Sequence, residues 1–340
     1  MSGRAGGTRL REIPVEAAVG LPLAHDLTQI VPGTFKGRLF KKGHIVTAAD
    51  IPKLLDIGKE HIYILELGEG ELHEDDAALR MAKALSGEGI AYGEPHEGKV
   101  TLKAQHTGLA AIDETLVHEV NRLGEIALAT ARHHTLIREG GPLAATRVIP
   151  LYTSEAKLAE VERLARECRQ RTGAAPLRIR PLRRMRVGLL TTGGEVYSGR
   201  IEDKFGPAVR AKLEALGSEV GEQRFAPDDR HTIVKEIHYL RGAGYDMILV
   251  TGGMSVDPDD RTPGAIQAVG ADIVSYGTPM LPGSMLLMSY LDGVPLLGLP
   301  GCVMHDPFTS FDVLLARILA GDTIVREDIV TMGYGGFLGC

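Results

Sequence analysis

The sequence predicts an α/β protein: a mainly parallel sheet with helices on both faces forms the C-terminal part, and a smaller α+β region precedes it. From residue 187 onward, short apolar runs of strand length alternate with segments of helical spacing. Such an alternation is typical of a parallel sheet that helices cover on both faces. In residues 1–150, short strands, turns and helices follow one another without this regularity, as in α+β proteins.

The composition fits folded domains with sizeable cores. A chain of 340 residues is long enough for two or three domains at roughly 150 residues each. Its content of 44% hydrophobic and 24% charged residues excludes a disordered or low-complexity protein. Glycine is unusual, with 42 of 340 residues, against about 7% in average proteins. Many backbone positions therefore need a conformation that glycine adopts more readily than other residues.

Charge, apolar runs and cysteines exclude several classes of protein. A net charge of −6 disfavours binding to nucleic acid or to an anionic membrane surface, because those partners require a positive face. No run of about 18 apolar residues and no signal peptide is present, which predicts neither a membrane-spanning nor a secreted protein. The three cysteines, Cys168, Cys302 and Cys340, are far apart, so we expect no disulfide framework and a reducing, cytoplasmic location.

The pattern of elements divides the chain into four regions. Residues 1–66 form a small α+β accessory unit, with a helix over 49–57 and a strand over 61–65. Residues 67–176 form a second α+β region with helices over 74–85 and 113–123. Its linker helix begins after Ser154, a good N-cap residue, and stops at Gly173. An α/β domain over 177–325 and a tail over 326–340 complete the division.

An arginine-rich segment opens the α/β domain. Between residues 177 and 186 it carries five arginines: Arg178, Arg180, Arg183, Arg184 and Arg186. One interpretation is a solvated linker. The other is contact with phosphate, because guanidinium groups match phosphate oxygens in a bidentate manner.

The elements of the α/β domain follow in order from this segment. Apolar runs predict strands over 187–191, 220–225 and 245–251, and apolar spacing predicts a helix over 205–216. Asp228 or Asp229 caps the next helix, and Thr262 with Pro263 opens another. Asp292 and Gly293 predict a hairpin between strands 285–291 and 294–299. A last helix runs over 308–319 and ends at Gly321.

Four loops rich in glycine and acidic residues leave these strands. We name them the first (191–203), second (227–229), third (252–260) and fourth loop (299–302). Because the carboxyl ends of parallel strands meet at one edge of a sheet, the loops should converge there. Glycines let backbone N–H groups approach phosphate oxygens. The carboxylates suit either a hard cation such as Mg²⁺ beside the phosphate or the N–H edge of a heterocycle.

Each loop also has a plainer interpretation. Gly252 and Gly253 on their own are typical of a strand-to-helix turn, and Asp228 of a helix cap. Ser255, Asp257 and Asp259 are compatible with a solvated turn. The sequence has no GxxxxGK[ST] motif and no GxGxxG after the first strand, which disfavours P-loop and dinucleotide-binding sites.

The loops together resemble a known family. The segments TTGGEVYSGRIEDKF, PDD, DMILVTGGMSVDPDDRTPGAI and LLGLPG, in this order, resemble the molybdopterin-binding domain of molybdopterin adenylyltransferases and molybdopterin molybdenumtransferases, over about 185–321. The resemblance implies a three-layer α/β domain in a homo-oligomer, with Mg²⁺ held by Asp228, Asp257 and Asp259 as the catalytic carboxylates. The implied molybdopterin-binding residues are Thr192, Gly193, Gly194, Glu195, Ser198, Gly199, Asp203, Gly252, Gly253, Ser255, Pro300 and Gly301.

The chain departs from the molybdenumtransferase pattern at three loop positions. Gly194 replaces an aspartate, Cys302 an asparagine, and Ser284 a lysine. The family's C-terminal β domain has no counterpart in this sequence, and the stretch from Asp259 to Thr262 is closer to the adenylyltransferase and competence-damage types. Residues 37–64 more weakly resemble an accessory domain of bacterial molybdopterin-binding proteins linked to maturation of molybdenum hydroxylases.

Three functions follow as hypotheses. The first is an enzyme of molybdenum cofactor biosynthesis that acts on molybdopterin or its adenylylated form and supports Mg²⁺-dependent insertion of molybdate. The second is a non-catalytic carrier that hands finished cofactor to a molybdenum hydroxylase apoprotein. The third is a nucleotide-sugar pyrophosphatase of the competence-damage type. The histidines, among them His118, His133 and His134, lack metal-ligand spacing and predict no metal site.

Overall fold

The computed structural model describes residues 9–31, 35–255, 257 and 260–339. The chain forms two compact units: unit 1 is Met1–Arg180 and unit 2 is Pro181–Cys340. This division falls close to the start of the predicted α/β domain at residue 177. Among the described residues, no helix combines the length and apolar composition that crossing a membrane requires.

The first part of unit 1 has a core of its own. Its elements are β1 (Arg9–Pro14), β2 (Leu27–Val31), β3 (Phe35–Phe40), α1 (Ile51–Asp56) and β4 (His61–Glu66). Two antiparallel pairs, β1 with β4 and β2 with β3, enclose the core together with α1 and two short 3-10 turns. Val15, Leu54 and Val46 are almost completely buried in it.

Three helices pack on sheets in the second part of unit 1. The elements are β5 (Glu71–His73), α2 (Glu74–Leu85), β6 (Ile90–Tyr92), β7 (Lys99–Ala104), β8 (Gly108–Ile112), α3 (Glu114–Arg122), β9 (Ile126–Thr130), β10 (Leu136–Ile137), β11 (Pro142–Val148), β12 (Tyr152–Ser154), α4 (Glu155–Thr172) and β13 (Leu177–Pro181). Helix α2 buries Ala77, Met81 and Leu85 on one face, as its spacing predicts. Ser154 accepts a hydrogen bond from Lys157 N at 3.3 Å and caps α4, which ends at Gly173 as expected.

Unit 2 is built on a six-stranded sheet. The elements are β14 (Arg186–Thr192), α5 (Gly194–Tyr197), α6 (Phe205–Glu214), β15 (Glu219–Ala226), α7 (Arg230–Gly242), β16 (Met247–Thr251), α8 (Thr262–Ala268), β17 (Asp272–Tyr276), β18 (Leu287–Leu291), β19 (Val294–Leu299), α9 (Ser310–Leu319) and α10 (Arg326–Thr331). The strand order is β15-β14-β16-β19-β18-β17. Strands β15, β14, β16 and β19 are parallel, whereas β18 is antiparallel to both neighbours. Strand β17 therefore runs in the same direction as the four parallel strands.

Two separate cores cover the two faces of this sheet. On one face, α6 and α9 bury Val209, Leu213 and Phe311 against it. On the other face, α7 and α8 bury Ile237, Leu240 and Ile266. Helix, sheet and helix are thus stacked as three layers, which confirms the predicted α/β class with a mainly parallel sheet after an α+β region. That region, unit 1, is not the smaller part, since it ends at residue 180 of 340.

The arginine-rich segment is a linker only in part: residues 182–185, which have no regular structure, lie just after the boundary between the two units. Residues 177–181 form strand β13, which pairs with β8 in unit 1. Arg183, Arg184 and Arg186 lie at or before the first residue of β14, whereas the first loop leaves its other end. At about 3.3 Å per residue, a seven-residue strand separates its ends by roughly 20 Å. The hypothesis that these three arginines bind phosphate at the loops is therefore wrong.

Residues after 325, set apart as a tail from the sequence, contain regular structure in unit 2. Ile329 of α10 is buried in the core shared with α9. Arg317 of α9 forms an ion pair with Asp328 at 2.8 Å, and Leu338 N donates to the Leu281 carbonyl at 2.9 Å. These contacts attach the segment to the body of unit 2.

Candidate functional site

The carboxyl ends of β14, β15, β16 and β19 bring the four loops to one edge of the unit 2 sheet. Two direct contacts join the first loop to the others. Gly194 N donates to Asp228 Oδ2 of the second loop at 2.7 Å. The hydroxyl oxygens of Thr192 and Thr262 lie 3.1 Å apart, which joins the first loop to the helix that follows the third.

The first loop turns sharply after β14. Gly193 has a φ of 136°, and its N–H donates to the Ala226 carbonyl at 3.1 Å. Glu195 and Ser198 are exposed to solvent, and Ser198 Oγ donates to the Glu195 carbonyl at 3.3 Å. Gly199 follows in a left-handed conformation. The loop thus presents backbone groups and the Glu195 carboxylate outward at this edge.

The two aspartates of the second loop have different structural roles. Asp229 caps α7, because its carboxylate accepts hydrogen bonds from Thr232 N at 2.8 Å and Thr232 Oγ1 at 2.7 Å. These bonds, led by the hydroxyl, hold the pKa of Asp229 below its usual value. Asp228 instead holds the first loop through Gly194. The alternative left open by the sequence is resolved: Asp229 is the cap and Asp228 connects two loops.

Asp203 supports the start of α6. Its carboxylate accepts hydrogen bonds from Phe205 N at 2.9 Å and from Gly206 N at 3.0 Å. Gln223 Nε2 donates to Asp203 Oδ2 at 2.5 Å and to Thr191 Oγ1 at 3.0 Å. Both oxygens of Asp203 thus serve the protein itself, which differs from the pterin contact that the resemblance implied.

The third loop begins with two glycines in positive-φ conformations. Gly252 has a φ of +89°, and a Cβ placed there would overlap the Thr192 carbonyl oxygen. Ser255 and Asp257 are exposed, and Asp257 N donates to Asp260 Oδ2 at 3.1 Å. Asp259, one of the three predicted metal ligands, lies outside the described residues. The backbone at Gly252 is consequently pressed against the end of β14.

A cluster of buried threonines holds the strand ends together, and the sequence analysis assigned only Thr192 of this cluster to the site. Thr262 Oγ1 lies 2.8 Å from the Gly252 carbonyl, and Thr251 Oγ1 lies 3.2 Å from Thr191 Oγ1. In the sequence, Thr191 and Thr192 at the end of the apolar strand β14 were the signal that could have pointed to this cluster. Its partners are far along the chain, since Thr192 and Thr262 are 70 residues apart.

The fourth loop follows β19 at the same edge. Pro300 is buried and precedes a 3-10 turn, Gly301–Met304, in which Gly301 is exposed. Cys302 is partly exposed. Because β19 pairs in parallel with β16 up to Thr251 and Leu299, the third and fourth loops leave the sheet side by side.

Three arginines lie at this edge in place of those in the arginine-rich segment. Arg200 is in the first loop, Arg230 begins α7 after the second, and Arg261 follows the third. All three are exposed. Their guanidinium groups are the cations that unit 2 offers to an anion bound among the loops.

Only two of the three predicted magnesium ligands, Asp228 and Asp257, are among the described residues, so the magnesium site stays a prediction. Within the described part of the chain, three potential ligands lie within 4.8 Å of one another at His73, Glu74 and Asp75 in unit 1. His73 Nδ1 accepts from Asp75 N at 3.1 Å, and Nε2 donates to the Ala24 carbonyl at 2.5 Å, so both ring nitrogens are occupied. Burial lowers the pKa of this histidine. We derive no reaction step through a metal at either place.

Two family models match parts of the chain. Residues 188–320 match the model described as "Probable molybdopterin binding domain". Residues 12–66 match a domain of unknown function, DUF8806. The first match covers every loop described above, and it confirms that this part of unit 2 is a domain of the molybdopterin-binding family.

Curated relatives match part of the chain. A molybdopterin molybdenumtransferase of Staphylococcus aureus (strain COL) is 32% identical over 147 residues, which are 40% of this chain and 34% of that protein. A CinA-like protein of Mycolicibacterium vanbaalenii is 36% identical over 77 residues, 23% of this chain and 18% of that protein. The chain thus spans about a third of the length of the molybdenumtransferases it matches.

Solved structures are similar in part. The molybdopterin biosynthesis enzyme MoaB from Thermus thermophilus has 26% identity and a TM-score of 0.33, and the match covers 39% of this chain and 89% of that one. The molybdopterin biosynthesis MoeA protein from Pyrococcus horikoshii has 14% identity and a TM-score of 0.33, with coverage of 92% and 75%.

Proposed function

We propose that unit 2 binds molybdopterin, or its adenylylated form, in molybdenum cofactor biosynthesis. One observation carries the proposal: within the residues that match the molybdopterin-binding family, the first loop is bonded to the second loop, and Thr262 is bonded to both the first and the third loop at the same sheet edge. Backbone N–H groups of glycine-rich turns are suited to phosphate oxygens, and Arg200, Arg230 and Arg261 supply positive charge beside them. The pterin phosphate is the group we assign to this edge.

The activity we propose first is support of molybdate insertion, as in the molybdenumtransferases that the domain resembles. With the adenylylated form as substrate, water cleaves the phosphoanhydride bond into AMP and the pterin phosphate, while the two dithiolene thiols bind molybdate and one molybdate oxygen leaves as water. Asp228 acts here through Gly194, because its carboxylate fixes the backbone of the first loop. Exposed Asp257 and Glu195 remain available to the ligand.

A second candidate function is a carrier that binds finished cofactor and passes it to a hydroxylase apoprotein. It is favoured by Cys302 and Ser284, which stand where the molybdenumtransferase pattern has asparagine and lysine. A carrier needs the binding surface but no assembled catalytic centre.

The test incubates the purified protein with adenylylated molybdopterin and molybdate, with Mg²⁺ or with EDTA. Release of AMP that requires Mg²⁺ supports insertion. Retention of the pterin through gel filtration without AMP release supports the carrier. If titration calorimetry detects binding of neither molybdopterin nor its adenylylated form, the proposal is wrong. Hydrolysis of ADP-ribose to AMP and ribose 5-phosphate would instead support the pyrophosphatase hypothesis.

We expect Asp228→Ala to weaken molybdopterin binding about tenfold or more. The substitution removes a charge-assisted hydrogen bond to Gly194 N, worth roughly 1.5–3 kcal/mol, and releases the first loop. Asp228→Asn keeps an acceptor for this bond and should bind within about threefold of the wild type, since 1.4 kcal/mol corresponds to tenfold. Calorimetric titration measures both variants.

Asp272→Ala is the matched control, because this exposed aspartate begins β17 at the opposite edge of the sheet. It should bind as the wild type does. If Asp228→Asn binds as weakly as Asp228→Ala, the negative charge itself is needed at the ligand, and the loop-holding role is refuted.

A further inference from the structure

A cleft of about 320 Å³ lies in unit 1, over strands β6 and β7 and the hairpin loop that joins them. Its lining includes Tyr92, Glu94, His96, Lys99, Thr101 and Lys103. Small-molecule sites commonly enclose about 300–1,000 Å³, so the cleft is large enough for a ligand of modest size. It lies outside the residues that match the molybdopterin-binding family.

Strand β7 forms the floor of the cleft and places three polar side chains on one face. Lys99, Thr101 and Lys103 line the cleft, and the residues between them are buried in the core of unit 1. The strand pairs with β6 on one side and with β11 on the other, so its backbone is held along both edges. The two lysines are about 13 Å apart along the strand, and their flexible four-carbon stems let both ammonium groups reach toward Thr101 between them. One anion therefore has two cations and a hydroxyl as partners here.

Neither of these lysines forms an ion pair with a carboxylate of the described residues. The lysines that do form ion pairs there are Lys42, Lys53, Lys157 and Lys212. Arg147 of β11 is exposed and lies directly opposite Lys99, which adds a third positive charge to this face. Glu97 of the hairpin loop accepts a hydrogen bond from Thr28 Oγ1 at 3.2 Å. A group of cations without counter-charges favours an anion, and a phosphate ester carries more negative charge than a carboxylate.

The hairpin that forms the wall beside the lysines is fixed to the body of unit 1. The backbones of His96 and Lys99 bond to each other in both directions, at 2.9 and 3.1 Å. Gly98 between them has a φ of +67°, and its N–H donates to Asp75 Oδ1 of α2 at 2.9 Å. Val148 N of β11 donates to the Gly98 carbonyl at 3.0 Å. The cleft is thus formed before a ligand arrives, and binding does not require the hairpin to become ordered.

An aromatic ring and a carboxylate complete the lining. Tyr92 is the last residue of β6 and is 37% exposed, so its ring is free to stack on a flat ring of the ligand. A Cβ at Gly93 would meet no atom within 4 Å, which leaves open space beside the ring. Exposed Glu94 follows and accepts hydrogen bonds from hydroxyl or amino groups. These groups suit the ring and the sugar of a nucleotide, next to the cations that suit its phosphate.

We propose that this cleft binds a small phosphate ester that carries a flat ring, of the size of a mononucleotide. The phosphate lies on Lys99, Thr101 and Lys103, and the ring stacks on Tyr92. Glu94 accepts hydrogen bonds from the part of the ligand that joins the two. This ligand is distinct from the pterin phosphate assigned to the loops of unit 2, so the proposal goes beyond the proposed function and does not rest on it.

Pyridoxal 5′-phosphate is the first probe, because it joins a phosphate to a flat ring and its aldehyde reacts with nearby lysines. The neutral amine of a lysine attacks the aldehyde carbon, water leaves, and added borohydride reduces the imine to a stable secondary amine. Mass spectrometry of peptides from the full-length protein then locates the label. We expect Lys99 or Lys103 to be labelled about tenfold faster or more than Lys83, an exposed lysine of α2. Pyridoxal, which lacks the phosphate, should show no such preference, and AMP should protect both lysines.

Titration calorimetry with AMP measures the contribution of each group. The double variant Lys99→Ala, Lys103→Ala should bind AMP about tenfold more weakly or less, the effect of losing a charged hydrogen bond. The double variant Lys99→Arg, Lys103→Arg keeps both charges and should bind within about threefold of the wild type. Tyr92→Leu should weaken AMP binding about fivefold or more, the lower end of base stacking on an aromatic ring. Lys83→Ala is the control and should bind as the wild type does, and AMP bound at unit 2 contributes equally to all variants.

Several outcomes would overturn the proposal. Labelling of Lys99 and Lys103 no faster than that of Lys83, or AMP affinity that survives the loss of both lysines, refutes the site. If Tyr92→Leu binds AMP as tightly as the wild type, the ring does not lie on Tyr92 and the proposed ligand class is wrong. Thermal unfolding should be the same for all variants, because the substituted side chains are exposed. No measurement uses molybdopterin, so the proposed function stands or fails by its own titration.

Discussion

Gly252→Ala should destabilise unit 2 by about 4 kcal/mol and abolish ligand binding at its loops. An alanine must adopt the φ of +89° seen at this position, a strain of roughly 1–3 kcal/mol. Its Cβ would also overlap the Thr192 carbonyl oxygen and lie 2.8 Å from Thr192 Oγ1. Forcing such an overlap costs a further 1–3 kcal/mol or so.

Neither neighbour of Gly252 can move aside at little cost. Thr192 belongs to β14, whose register places it opposite Ala226 of β15, and its hydroxyl lies 3.1 Å from Thr262 Oγ1. Movement of Thr192 would therefore disturb both the sheet and the start of α8. We expect the substitution to separate the first and third loops, because their contact is made at this point.

Gly264→Ala is the matched control for this prediction. Gly264 is in α8, and a Cβ there meets no atom within 4 Å. Alanine should stabilise the helix by about 0.5–1 kcal/mol. Calorimetric unfolding, which resolves separate transitions in a chain of two units, measures both variants. A Gly252→Ala protein as stable as the wild type would contradict the close approach of the third loop to β14.

Periodic features of unit 2 could be predicted from its sequence. Apolar strands such as 247–251 and the spacing of Ile233, Ile237 and Leu240 reflect burial, which repeats along the chain. The direction of parallel strands then places their loops at one edge. These steps need no knowledge of any particular contact, which is why the fold class and the convergence of the loops were predictable.

Individual roles within the site depend on partners far apart in sequence. Gly194 and Asp228 are 34 residues apart, and nothing near Asp228 indicates that its carboxylate binds a backbone N–H rather than a metal. Asp203 is similar, because its partner Gln223 is 20 residues away. A glycine and acid pattern therefore predicts where a site lies better than it predicts what each carboxylate does.

In unit 1, some of the secondary structure itself could not be predicted from the sequence. Its helices are amphipathic and were predicted, but the sequence analysis assigned no strands between residues 86 and 150, where β7, β9 and β11 form a sheet. Strand β7 alternates buried Val100 and Leu102 with more exposed lysines over only six residues. Charged residues on the solvent face of so short a strand leave a weak pattern.

The stability of unit 1 should fall by about 2.5 kcal/mol between pH 5 and pH 8 because of Glu74. This glutamate is only 6% exposed, and among the described contacts its carboxylate has no hydrogen-bond donor. Burial, followed by repulsion from Asp75, raises its pKa to about 7, whereas Arg147 and Lys42 oppose the shift. Below the unfolded pKa of 4.5 the side chain is neutral in both states, so no stability is lost.

The free energy of unfolding decreases as pH rises, because between pH 4.5 and pH 7 Glu74 loses its proton readily only in the unfolded state. Above about 7 the folded state carries a buried charge, and 1.36 kcal/mol for each pKa unit gives the full loss of about 3 kcal/mol. Glu74→Gln keeps a neutral side chain of the same shape at every pH. The variant should therefore exceed the wild type by about 1 kcal/mol at pH 5 and by about 3 kcal/mol at pH 8.

Chemical unfolding of wild type and Glu74→Gln from pH 5 to pH 8 tests this expectation. The difference between the two curves isolates Glu74, because buried histidines such as His73 contribute equally to both. Glu88→Gln, a change at an exposed glutamate of the same unit, should leave the wild-type profile unchanged. Parallel curves for wild type and Glu74→Gln would mean that the carboxylate gains a cation or donor in solution, and the group of His73, Glu74 and Asp75 would then be the first place to look for it.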